Sequence, residues 1–247
     1  MLWSAPKIWK SPCWIIGGGV SIAEQFGVPD TLIPTTREEY YQFGEYLSPI
    51  FPGNVIGVNV GAFVSEEVKV AFWGDSDTYS DFRNWFDLFT GLKVSAAGKF
   101  ADKRFKSIYH MYKDNSAGIP DKSDSVSWVA MNSASAAISL AYHLGARTVY
   151  LLGVDLCKTN ERTHWHSGYP DKRYTPTIRN IHKPIPRLVA EVPFEKHSRA
   201  YPKIAKAAQN KGMRVINVSP KSTLDCFKKM TLEQALVDYK QGMENGK

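Results

Sequence analysis

Asn132–Asp155, NSASAAISLAYHLGARTVYLLGVD, joins the pattern of an amphipathic helix to that of a buried strand. Asn132 and Ser133 can both cap a helix, and small apolar residues then recur at the spacing of one helical face. Gly145 follows where a helix commonly ends in a left-handed residue, and the apolar, β-branched run Thr148–Val154 comes next. Because strands buried on both faces have this composition and are usually parallel, the stretch predicts a helix followed by a parallel strand.

Similar patterns extend this unit in both directions along the chain. Short apolar runs predict further strands at Cys13–Ile16, Asn54–Val58, Val68–Trp73 and Arg214–Val218, with weaker candidates at Lys93–Ala96 and Ser107–Met111. Helical patterns lie at Thr36–Tyr46, Ser76–Thr90, Glu195–Lys211 and Thr231–Met243. The polar residues 114–127 are predicted to form a loop. This order predicts one α/β domain over residues 1–247, Rossmann-like, with a mostly parallel sheet and helices on both faces.

Residues 156–195 interrupt the pattern. They show little periodicity, contain several prolines and are rich in basic, histidine and tyrosine side chains. Long segments of this kind inside a domain are more often functional than accidental, so we predict a basic lid that binds the acceptor. Its candidate acceptor- or phosphate-binding residues are Arg162, His164, His166, Tyr169, Arg173 and Tyr174.

Composition limits the class of protein. No run of about 18 apolar residues exists, and the first ten residues lack the features of a signal peptide, so neither a membrane span nor secretion is expected. The three cysteines are odd in number and show no metal-binding spacing, which favours reduced thiols in the cytoplasm. No metal site is therefore assigned from the cysteines.

Charge is distributed unevenly between the two parts of the chain. Residues 1–90 contain 5 basic and 11 acidic side chains, whereas residues 91–247 contain 26 basic and 13 acidic ones. A basic C-terminal part is typical of proteins that bind a nucleotide phosphate, a nucleic acid or an anionic glycan. A solvated basic surface would give the same count, so both interpretations stay open.

Polar groups and glycines follow the ends of the predicted strands. Gly17, Gly18, Gly19 and Ser21 come directly after the first strand, where backbone N–H groups can approach an anion or a ribose. The stretch matches neither the dinucleotide fingerprint, because Ile22 stands where a third glycine is required, nor a phosphate-binding loop ending in Gly-Lys-Ser/Thr. A tight turn between strand and helix is the alternative interpretation.

The carboxyl ends of parallel strands meet at one edge of the sheet, where open α/β sheets bind their ligands. Asn59 follows the second strand and Asp155 follows the strand of the opening stretch. Asn132 and Ser133 begin the helix before that strand, and a helix N-terminus favours anions. Together with the glycine loop, these residues are the predicted nucleotide-binding set.

In order and spacing, these motifs resemble those of bacterial sialyltransferase-like glycosyltransferases and of the related 6-hydroxymethylpterin diphosphokinase domain. Gly17–Ser21 resembles the Gly-x-Gly-Pro-Ser loop of that group. The resemblance continues through Asn59, the Leu151–Asp155 strand end and His197–Ser198 at the start of a helix, and it covers most of residues 13–225.

The resemblance implies a glycosyltransferase whose CMP- or UDP-linked sugar donor lies on the glycine loop. A histidine matching His197 would be the general base on the acceptor hydroxyl, a role suited to a group that titrates near neutrality. The acceptor would be anionic or polar, either a glycan or a hydroxylated nucleobase in DNA, and no metal would be required. The chain departs from the group at Val20, which replaces proline, at Phe194, which replaces tyrosine, and at Cys157 and Thr163, which replace two tyrosines.

The sequence is also compatible with three other functions. A pyrophosphoryl transferase using ATP and Mg²⁺ would need carboxylates, and Asp75, Asp77 and Asp155 are available. A metal-dependent hydrolase would use the His164-x-His166 pair with Asp155 and His197. A non-catalytic nucleic-acid-binding protein would use the basic part of the chain, although no known nucleic-acid-binding module is recognisable.

Overall fold

The computed structural model describes residues 3–51, 53–101, 105, 107–116, 118–129, 132–167, 194–199 and 201–245. The strands are β1 (Cys13–Ile16), β2 (Asn54–Val58), β3 (Val70–Trp73), β4 (Leu92–Ser95), β5 (Tyr109–His110), β6 (Tyr112–Asp114), β7 (Ser125–Ser127), β8 (Thr148–Leu152), β9 (Arg214–Asn217) and β10 (Lys228–Lys229). The α-helices are α1 (Ser21–Gln25), α2 (Arg37–Tyr46), α3 (Ser76–Asp81), α4 (Arg83–Leu88), α5 (Ser133–Leu144), α6 (Phe194–Ser198), α7 (Tyr201–Asn210) and α8 (Leu232–Asn245). Short 3₁₀ helices lie at Ser48–Ile50, Asn59–Phe63 and Gly98–Ala101.

Eight of the described strands form one sheet in the order β10-β9-β8-β1-β2-β3-β4-β5. Every neighbouring pair in it is parallel. The predicted Rossmann-like α/β fold with a mostly parallel sheet is confirmed. A second, two-stranded sheet pairs β6 with β7, also in parallel.

The strand order reverses beside β1. Cys13 of β1 is level with Asn54 of β2 on one side and with Val149 of β8 on the other. From β1 the chain adds strands outward to β5, then crosses to the opposite side and adds β8, β9 and β10. The loops after β1 and β8 therefore leave the sheet in diverging directions, which opens a crevice at the carboxyl ends of these two strands.

Alternate residues of the central strands supply two separate hydrophobic cores, one on each face of the sheet. Cys13 and Ile15 belong to one core, and Trp14 and Ile16 belong to the other. The first core includes the alanine-rich face of α5, whose small side chains allow the helix to lie close to the sheet. The second is dominated by large aromatic residues, namely Trp14, Tyr40, Phe43, Trp73, Phe86, Tyr150 and Trp165. Burial of each such ring contributes about 1.5–3 kcal/mol, so both faces hold β1 and β8 firmly in place.

Two predicted helices are each divided in the structure. The predicted helix at 76–90 is α3 followed by α4, because Phe82 between them has φ −118° and ψ 27°, outside helical values. The predicted helix at 195–211 is divided into α6 and α7, and Pro202 lies in the first turn of α7. Proline favours a helix start, since its missing N–H would have no partner within the first turn.

The predicted loop at 114–127 was wrong at its two ends, where β6 and β7 pair with each other. Both strands have only three residues, too few to produce a visible alternation in the sequence. Of the predicted lid at 156–195, the structure describes residues 156–167 and 194–195. In the described ranges, no helix has both the length and the apolar character that crossing a bilayer would require.

Candidate functional site

A cleft of about 210 Å³ opens at the carboxyl ends of β1 and β8, where the strand order reverses. It brings together residues that are far apart in the sequence. The predicted site residues on its lining are Gly17, Gly18, Gly19, Asn59, Asn132, Ser133, Asp155, His164, His166 and His197. The position at the crevice between diverging loops is the usual place for a ligand in this type of sheet.

The glycine loop after β1 packs directly against the turn after β8. The backbone N–H of Gly17 donates to the Leu152 carbonyl at 2.8 Å, and that of Gly19 donates to the Gly153 carbonyl at 2.7 Å. A Cβ on Gly17 would lie 2.5 Å from the Gly153 carbonyl oxygen. Gly153 itself has φ +63°, in the left-handed region that favours glycine. The backbone of the glycine loop and that of the turn after β8 are therefore in direct contact, which leaves no room for a side chain between them.

Asp155 anchors the loop from behind. Its Oδ2 accepts a hydrogen bond from the Ser21 backbone N–H at 2.8 Å, and its Oδ1 accepts one from the Ser21 hydroxyl. A Cβ on Gly19 would lie 2.4 Å from the same carboxylate. Burial raises the pKa of Asp155, although the hydrogen bonds from Ser21 act in the opposite direction. Because both carboxylate oxygens accept from Ser21, this geometry favours a supporting position for the pair over direct contact with a ligand.

Asn59 begins the 3₁₀ helix that follows β2 and lies on the cleft lining. Its φ is +54°, so the backbone turns through the left-handed region directly after the strand. Asparagine tolerates this conformation better than other side chains with a Cβ. The turn places the polar amide of Asn59 at the carboxyl end of β2, the strand next to the one that leads into the glycine loop.

The N-terminus of α5 forms another side of the cleft. Oδ1 of Asn132 accepts from the Ser135 backbone N–H at 2.8 Å and from the Tyr201 hydroxyl at 3.1 Å. Ser133 Oγ accepts from the Gly74 backbone N–H at 3.0 Å. These bonds use Oδ1 of Asn132 and Oγ of Ser133 as acceptors. What the two side chains can offer to a ligand is therefore a donor, the amide N–H of Asn132 and the hydroxyl proton of Ser133.

The segment at 162–166 crosses the glycine loop and is held by a buried tryptophan. The Trp165 backbone N–H donates to the Gly18 carbonyl at 3.0 Å, and its indole N–H donates to the Gly17 carbonyl at 2.9 Å. The indole is fully buried and stacks on Phe43 with a centroid distance of 4.1 Å. Arg162 supports the segment by donating from its guanidinium to the Trp165 carbonyl at 3.0 Å.

His164 and His166 flank Trp165 in the sequence, and the centroids of their rings lie 5.3 Å apart on the lining of the cleft. The His164 ring lies against Gly18, with Cδ2 2.6 Å from the position that a Cβ on Gly18 would take. Its Nδ1 lies 2.8 Å from the Thr163 hydroxyl oxygen. His166 is buried, and its ring packs edge-on against Trp165 at 4.8 Å between centroids. His164 is therefore the imidazole of this pair that contacts the glycine loop.

His197 reaches the cleft from α6, a helix of five residues without a buried side chain. His197 itself is half-buried. The helix carries an exposed ion pair between Glu195 and Arg199, and the Ser198 hydroxyl donates to the Glu195 carbonyl at 2.9 Å. An imidazole at this position can accept a proton from a hydroxyl group bound in the cleft.

The remaining predicted residues fall into two groups. Ser21 and Arg162 lie one layer behind the cleft, where they hold Asp155 and Trp165. Tyr169, Arg173 and Tyr174 lie outside the described residues.

Sequence reasoning missed several residues that shape the cleft, among them Trp165, Gly153 and Tyr201. A glycine between an apolar strand and Asp155 was a usable signal for a left-handed turn, and Gly153 forms such a turn. Trp165 carried no comparable signal, because its role depends on contacts with residues far away in the chain.

The three candidate carboxylates for a divalent cation do not all line the cleft, where Asp155 lies. Asp75 caps α3 by accepting from the Thr78 N–H at 2.9 Å, and neither Asp75 nor Asp77 lines the cleft. Among the described residues, no three side chains of the His, Cys, Asp or Glu type lie together in a way that could hold a metal ion.

Comparison with known proteins gives a fold relationship. No family model matches the chain, and no curated protein sequence matches it. The structure of the MAf glycosyltransferase from Magnetospirillum magneticum AMB-1 superposes with a TM-score of 0.54 and 12% identity, covering 99% of this chain and 38% of that one. The sialyltransferase CstII from Campylobacter jejuni, in complex with the substrate analogue cytidine-5'-monophosphate, gives a TM-score of 0.48 and 11% identity over 90% of this chain and 85% of that one. The chain thus shares its fold with the MAf glycosyltransferase and spans 38% of that protein's length.

Proposed function

We propose that this protein is a nucleotide-sugar-dependent glycosyltransferase that moves a sugar to an acceptor hydroxyl by direct displacement. One observation carries the proposal: a single cleft at the reversal of strand order contains the glycine loop, the N-terminus of α5 and His197. The loop and the helix N-terminus suit a nucleotide phosphate, and the imidazole suits a hydroxyl group that must lose a proton. The fold shared with a glycosyltransferase is compatible with this function.

In this mechanism His197 accepts the proton of the acceptor hydroxyl as its oxygen bonds to the anomeric carbon of the sugar. The bond between that carbon and the nucleotide phosphate breaks at the same time, and its electron pair stays on the phosphate oxygen. The developing charge requires hydrogen-bond donors in fixed positions. Asn132 and Ser133 can provide them, because their acceptor atoms already receive bonds from within the protein.

The other residues take supporting or acceptor-side roles. We assign the nucleotide to the glycine loop and Asn59, with Ser21 and Asp155 fixing the loop from behind. The acceptor, anionic or polar, would enter from the side of the basic lid. The proposed contacts of the acceptor or of the donor phosphate are Arg162, His164, His166, Tyr169, Arg173 and Tyr174. A glycan and a hydroxylated nucleobase in DNA are the two acceptor classes to test, and the donor would be CMP- or UDP-linked.

The pyrophosphoryl transferase using ATP and Mg²⁺ is less well supported. Of its three candidate carboxylates, Asp155 alone lines the cleft, and both of its oxygens accept hydrogen bonds from Ser21. Asp75 is engaged as the cap of α3.

Thermal unfolding with a panel of nucleotides and nucleotide-sugars, with and without EDTA, tests the proposal. A ligand at about 100 times its dissociation constant should add about 2.7 kcal/mol to the free energy of unfolding, which raises the melting temperature visibly. We expect a CMP- or UDP-linked compound to do so in the presence of EDTA. Stabilisation by ATP only with Mg²⁺ would instead favour the pyrophosphoryl transferase, and stabilisation by none of the nucleotides would favour a nucleic-acid-binding protein.

His197→Ala then tests the chemical step. With a donor and an acceptor identified, we expect the variant to retain donor binding and to lose transfer by about a hundredfold or more, since general base catalysis contributes this much. Transfer at the wild-type rate by His197→Ala would remove His197 from the proposed mechanism.

A further inference from the structure

The strongest unassigned feature of the cleft is the position of the His164 ring. Its Cδ2 and Nε2 lie 2.6 and 3.4 Å from the place of a Cβ on Gly18, so the ring covers the Cα of this glycine. A side chain at position 18 would collide with the imidazole. The glycine here is therefore required by the histidine, and both residues line the cleft.

The ring is held in place from two sides. Its Nδ1 lies 2.8 Å from the Thr163 hydroxyl, which fixes the rotation of the imidazole. The backbone next to it is fixed by Trp165, which donates two hydrogen bonds to the loop and stacks on Phe43 in the aromatic core. An imidazole held in this way loses little additional freedom when a ligand binds.

The edge of the ring opposite Nδ1 carries Nε2 and is the edge that lies beside the glycine loop. In the imidazolium form both ring nitrogens donate, so Nδ1 can donate to Thr163 while Nε2 donates to an anion on the loop. The carboxylate closest to this loop is that of Asp155, which is engaged by Ser21 and lies behind Gly19. Among the described side chains, His164 thus brings a ring N–H that suits an anionic oxygen next to the glycine loop.

We propose that His164 binds the phosphate of the nucleotide and donates a hydrogen bond from Nε2 to the phosphate oxygen that leaves the sugar. This inference rests on the proposed function. When the bond between the anomeric carbon and this oxygen breaks, the electron pair remains on the oxygen and the Nε2–H bond stabilises it. The acceptor oxygen takes its place on the carbon, and its proton passes to His197. The two imidazoles act at opposite ends of the displacement.

A nucleoside monophosphate and its nucleoside differ only in the phosphate group. Comparing how tightly the two bind therefore distinguishes contacts with the phosphate from contacts with the base and the ribose. We would titrate cytidine-5'-monophosphate, cytidine, uridine-5'-monophosphate and uridine into the wild type, His164→Ala and His164→Gln. A lost charged hydrogen bond should weaken binding of the monophosphate by about tenfold or more, and binding of the nucleoside should stay within about twofold. His164→Gln retains a neutral donor and should fall between the two.

His197→Ala is the matched control, since it removes the imidazole that the proposed mechanism assigns to the acceptor hydroxyl. It should bind the monophosphate about as well as the wild type. Hydrolysis of the sugar donor by water, measured without acceptor, gives a second readout. His164→Ala should slow both hydrolysis and transfer, whereas His197→Ala should slow transfer more than hydrolysis.

The outcomes separate the two proposals. Equal weakening of monophosphate and nucleoside by His164→Ala would overturn the assignment of His164 and leave the glycosyltransferase intact. No binding of either monophosphate by the wild type would overturn both. If His164→Ala fails to fold, histidine ¹⁵N spectra of the wild type, assigned with His164→Gln, decide the matter. The Nε2 signal of His164 should move with the monophosphate and stay in place with the nucleoside, and the reverse would contradict the proposal.

Discussion

Two walls of the cleft are built in contrasting ways. The loop wall, Gly17–Ser21 with Gly153–Asp155, is held by backbone hydrogen bonds, a buried carboxylate and excluded side chains. The helix wall, α6 with His197, is a single short helix whose described side chains are all at least partly exposed. A rigid surface suits recognition of a ligand that is always the same, such as a nucleotide. A more exposed element suits the group that must meet a second, variable substrate and release a product.

The largest expected effect is on the loop wall. Gly19→Ala would place a Cβ 2.4 Å from Asp155, and either the carboxylate or the loop must move. We expect the free energy of unfolding to fall by about 3 kcal/mol, together with a loss of nucleotide binding. Chemical denaturation and ligand titration measure the two quantities. The matched control is Gly98→Ala, where no atom lies within 4 Å of the new Cβ and stability should stay nearly constant. If Gly19→Ala were as stable as Gly98→Ala, the loop wall would not be tightly packed at Gly19, and the contrast with the helix wall would be lost.

Acid should weaken α5, whose N-terminus adjoins the loop wall. Burial is the main cause that lowers the pKa of His143 from 6.5 to about 4, with a smaller contribution from Lys211, whereas Asp121 and Asp124 act in the opposite direction. Between these pH values the unfolded chain binds a proton that the folded chain does not. The free energy of unfolding should therefore decrease by about 3 kcal/mol as the pH falls from 6.5 to 4.

Denaturation of wild type and His143→Gln across this range checks the expectation. Glutamine has no proton to gain, so the difference between the two proteins isolates the contribution of His143. His110, whose pKa is also lowered by burial, and Asp155, whose pKa is raised, remain in both proteins and cancel in the comparison. Parallel curves for the two proteins would show that His143 titrates normally in the folded state.

Ser21→Ala should produce a smaller loss on the same wall. It removes the hydroxyl that donates to the buried carboxylate of Asp155 and keeps the backbone donor. We expect a decrease of about 2 kcal/mol in the free energy of unfolding, the usual cost of an unmet bond to a buried charged group. Ser80→Ala, which removes an exposed hydroxyl bonded within α3, should cost much less. Similar losses in both variants would mean that Asp155 does not depend on Ser21.

The smallest effect is expected on the helix wall. Glu195→Gln breaks the exposed ion pair with Arg199, and such pairs contribute at most about 0.5 kcal/mol. Thermal unfolding should hardly change, in contrast to Gly19→Ala. A large destabilisation by Glu195→Gln would show that α6 is held as firmly as the loop wall.

Local sequence patterns were sufficient for most of the sheet. The runs at Cys13–Ile16 and Asn54–Val58 coincide with β1 and β2, because strands buried on both faces need continuous apolar residues. Three short strands were not predictable, namely β6 and β7 with three residues each and β10 with two. So few residues cannot show the alternation of apolar and polar side chains that indicates a strand. Pro202 could have indicated that a new helix, α7, begins there. The helical spacing of the apolar residues instead favoured one long helix over residues 195–211.

The positions of the candidate site residues were predictable where they follow from topology. Asn59 and the glycine loop lie at strand ends, and parallel strands bring such positions to one edge. Contacts between side chains were not predictable in this way. The bond from Ser21 to Asp155 joins residues 134 positions apart. The attachment of Trp165 to the carbonyls of Gly17 and Gly18 likewise depends on the folded core.

The central position of β1 also determines when the cleft can exist during synthesis of the chain. Ile16 is level with Gly57 on one side and with Leu152 on the other, so β1 is an interior strand whose second neighbour, β8, is translated much later. The glycine loop gains its contacts with Gly153, Asp155 and Trp165 only after these residues leave the ribosome. A ligand of this cleft therefore cannot stabilise the nascent segment that contains β1 until the residues up to Trp165 have been made, and its binding can assist folding only after that point.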